Sequence, residues 1–248
     1  MVILSILFFI TAILYSSVGF GGGSTYLALL LIWGIPFYIF PILALICNII
    51  VVTGNCVNYI RAGNHNIKLL IPFLIGSIPM AFIGGTLELS KEIFEILLFL
   101  VLSIAGMLLL NNNKAYQEDY FKIKKFNTLL YVLIGSILGL ISGIVGIGGG
   151  IFLSPILFLL KIEKPKNIVT SASLFILINS VFGILGQLTK EIVVNEILIY
   201  WPLFLSVLIG GLIGNYLNIK IINGRVLAII TSILVIFVSI RMGLRIFL

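Results

Sequence analysis

The uncharged apolar run that opens the chain is interrupted by Val18-Gly19-Phe20-Gly21-Gly22-Gly23-Ser24. The interruption returns about 127 residues later as Val145-Gly146-Ile147-Gly148-Gly149-Gly150. Glycine is about 1 kcal/mol less favourable than alanine at each helical position, so a stretch this rich in it does not hold a stable helix. In lipid, broken backbone is tolerated only where protein buries it or where it lines a cavity. Two matched breaks, one in each half of the chain, therefore predict a single shared central site.

Lipid is the expected surrounding. The chain is 61% hydrophobic and 9% charged, with a mean hydropathy of +1.29, where a soluble domain carries roughly a quarter charged residues. The first charge is Arg61, and later charge-free runs cover 69–87, 96–113, 126–160, 167–189, 197–219 and 226–240. These are runs of bilayer-crossing length, which is about 20 residues. No basic residue or small-residue cleavage pattern marks the N-terminus as a signal peptide, so it reads as a retained segment. The net charge of +7 sits in loops, where it sets topology, and no basic helix offers itself to nucleic acid. Cys47 and Cys56 lie nine apart in one apolar segment and face different ways, which predicts neither a disulfide nor a metal site. The single histidine, His65, and spans without central ionisable groups predict no enzyme, no metal and no cofactor.

The expected fold class is an all-α polytopic membrane protein made of two duplicated, inverted halves. The first half, 1–111, holds apolar segments at about 2–33 (broken at 19–23), 38–60, 67–87 and 93–111. A polar cytoplasmic linker, 112–126, follows. The second half, 127–248, repeats the order at about 127–160 (broken at 143–150), 167–188, 197–218 and 226–247. Pro36 answers to Pro165, Pro72 to Pro202 and Gly84 to Gly214. Duplicated halves meeting at a pseudo-two-fold axis are a recurrent transporter plan.

Whether the broken segments cross the membrane is decided by length and charge. Residues 3–33 as one helix would be about 46 Å long against a hydrocarbon core of about 30 Å. If all eight segments cross, the 15 basic residues divide nine against six. If both broken segments are re-entrant hairpins they divide eleven against four, with Lys161, Lys164, Lys166, Lys220 and Arg225 joining Arg61, Lys68 and the linker. The hairpin arrangement gives the stronger positive-inside bias, and it makes each half three crossings plus a hairpin, hence inverted.

A glycine turn leading into a helix exposes backbone N–H groups, and the helix dipole adds about half a positive charge there. Gly19, Gly21, Gly22, Gly23 and Ser24 lead into a helix expected near Thr25, and Gly146, Gly148, Gly149 and Gly150 into one containing Ser154 and Pro155. Both starts are candidate anion sites, against the alternative of close helix packing through small residues. In the second segments, Asn48 and Asn55 share a helical face with Asn58 a turn on; in the other half Ser171 and Ser173 lie early and Asn179 and Gln187 are eight apart on one face, with Asn48 and Asn179 the pair at mid-depth. Such amides either bond a neighbouring helix or face a polar pathway. Glu88, Glu92, Glu95 and Glu196 lie near span ends, where they are free to take part in coupling.

With its Gly-x-Gly-Gly-Gly break repeated as Gly146-Ile147-Gly148-Gly149-Gly150 ahead of Pro155, the chain resembles the TauE/SafE sulfite exporter family, also called the toluene-sulfonate uptake permease family. The resemblance implies an inner-membrane transporter of small sulfur-containing anions in a prokaryote, with the lipid bilayer and a small anion as partners. It carries over the two glycine motifs and the polar second segments as family-like positions. Ser24 stands where the second motif has Ile151, so the halves are expected to contribute unequally. Another cargo, a carboxylate or metal ion, and a non-transporting scaffold remain open at this stage. So do a homo-oligomer, the direction of transport and a proton or sodium coupling ion.

Overall fold

The computed structural model describes residues 1–63, 66–111, 127–160, 165–190, 194–218 and scattered positions between 233 and 244. His65, the linker 112–126 and most of the expected last segment, 226–247, lie outside the described residues. Among the described residues the chain is all helical, with no strand. The helices are α1 (Val2–Ser16), α2 (Gly23–Ile32), α3 (Phe40–Arg61), α4 (Ile67–Thr86), α5 (Lys91–Asn111), α6 (Thr128–Val145), α7 (Gly150–Leu159), α8 (Pro165–Gln187), α9 (Val194–Leu198) and α10 (Trp201–Asn218).

Local chemistry sets the boundaries. Pro41 sits in the first turn of α3, where its missing N–H is not needed. Asn66 and Asn127 cap α4 and α6 by accepting from Leu69 N at 3.2 Å and Leu129 N at 3.1 Å. Three expected boundaries shift. α2 starts at Gly23 rather than near Thr25, because Gly22 at φ +86° turns the chain straight into it. The second break is confined to 146–149, since Gly143 remains helical. The expected segment 197–218 is divided into α9 and α10.

Among the described residues, four stretches are long and apolar enough to cross a membrane: Phe37–Arg61, Ile67–Thr86, Thr128–Val145 and Asn167–Gln187. Large apolar side chains on the outside, such as Ile75 (62% exposed), Ile137 (60%) and Leu212 (62%), give the bundle an oily perimeter. α3 runs through the middle, with Leu43, Ala44, Cys47, Asn48 and Val52 all fully buried.

Close helix pairs exchange between the halves. Along α4 and α6, Phe73, Ser77 and Ala81 face Gly135, Gly139 and Gly143 in turn, so the two helices run parallel. Along α1 and α10, Phe9 and Ile13 face Gly210 and Gly214, again parallel. A methyl group on Gly84 would strike the Leu140 carbonyl, and one on Gly214 would strike the Ile13 carbonyl. Backbones approach this closely only through glycine.

Each broken segment folds back on itself. The Phe8 and Tyr26 rings stack at 4.7 Å between centroids, and Tyr15 Oη lies 2.7 Å from Thr25 Oγ1. α2 thus returns beside α1. Gly143, one turn before the second break, packs with Gly183 and Gln187 near the end of α8. Gly150, just after it, packs against Ala172 and Ile176 in the middle of α8. The chain therefore retreats along α8 before α7 begins. α2 and α7 have 10 residues each, about 15 Å, or half a bilayer.

The two folds-back come from opposite ends of α3. A methyl on Gly19 would lie 2.6 Å from Tyr59 Oη, near the end of α3. One on Gly146 would lie 2.6 Å from Pro41 Cα, at its start. At about 1.5 Å per residue those points are roughly 27 Å apart.

Candidate functional site

The starts of α2 and α7 meet in the middle of the molecule on either side of Asn48. A methyl on Gly23 would lie 2.8 Å from Asn48 Nδ2 and 2.9 Å from the Ile147 carbonyl. One on Gly148 would lie 3.0 Å from Asn48 Nδ2 and 3.1 Å from Ser180 Oγ. One on Gly21 would overlap Asn48 Oδ1. Glycine is required here by space as well as by backbone: Gly19, Gly22, Gly146, Gly148 and Gly149 all have positive φ. Tyr15, Phe20, Gly21–Ser24, Ile147, Ile151 and Ile176 enclose a cavity of about 10 Å³, the room one water occupies.

The surroundings are polar without being charged. Among the described residues, no protein acceptor takes the N–H groups of Gly21, Gly22, Gly23 and Ser24. Those of Gly148, Gly149 and Gly150 have none either. Asn48 is fully buried; its Nδ2 donates to the Gly146 carbonyl at 3.4 Å, and its Oδ1 has no donor. Asn179 is likewise buried, with Nδ2 donating to the Phe175 carbonyl at 2.8 Å and Oδ1 without a donor. Ser154, Ser180 and Tyr26 add buried hydroxyls that have no partner.

Ser173 Oγ donates to the Gly19 carbonyl, so the second half holds the first break as Asn48 of the first half holds the second. Ser24 and Thr25 face Tyr15 Oη at 3.3 Å and 2.7 Å. Asn55 lies apart from the cavity, accepting from Ser16 Oγ at 3.4 Å at the end of α1. Ser171 is buried on α8, and no hydrogen bond joins it to either break among the described residues. Sequence reasoning missed Tyr15 and Ser180. The position of Tyr15 just before the first break, and of Ser180 beside Asn179, were the available signals.

The second break also adjoins an open cleft of about 300 Å³ lined by Tyr38, Pro41, Glu88, Ile144, Gln187 and Lys190, among others. Lys190 Nζ donates to Gln187 Oε1 at 3.0 Å, and Gln187 Nε2 donates to the Gly143 carbonyl at 2.8 Å. Burial lowers the Lys190 pKa, and the Glu88 carboxylate opposes that shift. Tyr38 Oη donates to Glu196 at 2.8 Å across the rim.

The family model described as Sulfite exporter TauE/SafE matches residues 4–242. The chain belongs to the TauE/SafE family. It is also 27% identical over 233 residues to a protein of Sinorhizobium fredii (strain NBRC 101917 / NGR234) described as "Probable membrane transporter protein y4hK", covering 93% of each chain. No solved structure matches it. For a TauE/SafE protein, the geometry adds that both motifs converge on one asparagine.

Proposed function

We propose that this TauE/SafE protein is a membrane transporter of a small oxyanion of the sulfite, thiosulfate or organosulfonate kind, in a prokaryotic inner membrane. The cargo class comes from the family's description, and transport from that of the relative. The observation that carries the site is the meeting of two half-helix starts at Asn48, with free backbone N–H groups on both. Two helix N-termini offer an anion about half a positive charge each. One half then moves against the other and exposes the site alternately to the two sides.

An inverted duplication supports this reading. Under it, α1, α2, α3 and α4 correspond to α6, α7, α8 and α10. The crossed pairs α4–α6 and α1–α10 then become equivalent, as do the Gly84 and Gly214 contacts. The cleft supports re-entry. It gathers the start of α3 and the ends of α4 and α8 at one end of the bundle. With α5 crossing between them, α4 and α8 end together only if α6–α7 returns to the side from which it entered.

Two measurements test the proposal. Proteoliposomes containing the protein should move labelled sulfite faster than protein-free vesicles, and sulfite should raise the unfolding temperature in detergent. At a concentration 100-fold above Kd the stabilisation is about 2.7 kcal/mol. A protein neither stabilised by any oxyanion nor able to carry one is not an anion transporter. Separately, cysteines placed at Arg61, Lys164 and Lys190 in a chain without Cys47 and Cys56 should react with an impermeant maleimide from two sides. Positions 61 and 164 should share one face, with 190 on the other. Labelling of 190 with 61, and of 164 from the opposite face, would remove the re-entrant hairpin.

A further inference from the structure

We infer that the solute is taken as a protonated monoanion, an oxyanion still carrying one O–H, and that Asn48 Oδ1 accepts that hydrogen. The inference rests on the anion-transport reading and specifies the chemical form bound.

Charge is the first argument. None of α1, α2, α6 or α7 contains Lys, Arg or His, and neither do α3 before Arg61 nor α8 after Lys166. The positive potential at the centre therefore comes from the two helix starts, about one elementary charge together. The penalty for moving an ion out of water grows with the square of its charge, so a dianion is about four times harder to bury than a monoanion. The helix starts balance a single negative charge and leave the second charge of a dianion unopposed.

Hydrogen-bonding polarity is the second argument, and it is independent of the first. A fully ionised oxyanion has only acceptors, so a site built for one should present donors alone. Here the backbone N–H groups are donors, but the buried Asn48 Oδ1 is an acceptor without a donor. Its orientation is fixed by chemistry, because exchanging its oxygen and nitrogen would set oxygen against the Gly146 carbonyl. Asn179 is fixed in the same way by the Phe175 carbonyl. A methyl on Gly21 would meet Asn48 Oδ1, so this acceptor lies against the backbone that presents the donors. Donors beside an unpaired acceptor match a solute with several anionic oxygens and one hydroxyl.

The protein's own titration does not imitate this selectivity. The ionisable side chains packed around Asn48 and the breaks are Tyr15, Tyr26, Tyr59 and Cys47, on α1, α2 and α3. The cleft beside the second break adds Glu88 and Lys190, and any titration of theirs would act equally on methanesulfonate, the probe without an O–H. α7 and the α8 face from Asn167 to Gln187 contribute none, and Tyr131 of α6 stacks on Phe73 away from the breaks. Free phenols and thiols ionise only above about pH 8.

The test compares two probes on the wild-type protein by thermal shift and by flux between about pH 5.5 and 8. Sulfite loses its last proton within that range, whereas methanesulfonate is a monoanion throughout and has no O–H. The apparent affinity for total sulfite should fall by up to about tenfold per pH unit above the solute's own pKa. Methanesulfonate should bind more weakly than hydrogen sulfite at the acid end, with an affinity that stays flat. Sulfite affinity that is flat or rises with pH would overturn the monoanion inference and leave anion transport standing. Binding of neither probe at any pH would overturn both.

Discussion

Changing Gly22 to alanine should lower anion flux at least tenfold, while the same change at Gly34 should leave flux near wild type. Both residues have positive φ, +86° and +67°. Each alanine therefore carries a similar backbone penalty, about 1–2 kcal/mol. What differs is the surroundings. A methyl on Gly34 meets nothing within 4 Å, whereas one on Gly22 lies 3.1 Å from the Tyr26 ring and 3.3 Å from Thr11. The Gly22 methyl thus pushes the first turn of α2 away from α1, and with it the N–H groups that face the cavity. Hydrogen bonds to a charged partner are worth about 1.5–3 kcal/mol each, so misplacing one is a tenfold to hundredfold effect. Flux in proteoliposomes, read beside the unfolding temperature of both variants, separates the two causes. Equal loss of flux in both would assign the effect to backbone strain. Normal flux in the Gly22 variant would take the first break out of the transport path.

The breaks were legible because positive φ and close approach both select glycine, and selection by geometry leaves a local mark. The amides of the second segments were legible because polar groups stand out at mid-span. The sequence did not reveal which of them would cross to the other half. Ser173 reaches Gly19 across 154 residues and Asn48 reaches Gly146 across 98, and no local period encodes such a pairing. Asn55 shares a helical face with Asn48 yet serves the end of α1, because the broken segment beside α3 changes from unwound chain to helix between the two depths. Gly143 looked like part of the break and is instead a point where α6 lies against α4. Glycine marks both unwinding and close packing, and only the neighbour decides which.

That distinction also sets the sharpest contrast between two asparagines of one helix. Asn58 Nδ2 donates to Asn215 Oδ1 at 2.9 Å and ties α3 to α10. Asn58→Leu leaves that partner unpaired, so it should lower stability by about 1–3 kcal/mol while the protein that remains folded transports normally. Asn48→Leu should do the reverse. Leucine has the same branched shape and number of side-chain heavy atoms, the bond given up is a long one of 3.4 Å to the Gly146 carbonyl, and an oxygen buried without a donor disappears with it. Stability should therefore change by less than about 1 kcal/mol, since removing an unsatisfied buried group offsets the lost bond. Flux, by contrast, should fall tenfold to a hundredfold, because the side-chain amide that lies between the two half-helix starts is gone. The unfolding temperature and the initial rate of sulfite uptake, measured on both variants, decide the matter. If Asn48→Leu unfolds the protein, the asparagine is a structural brace. If it transports at the wild-type rate, the solute does not pass between the two glycine turns.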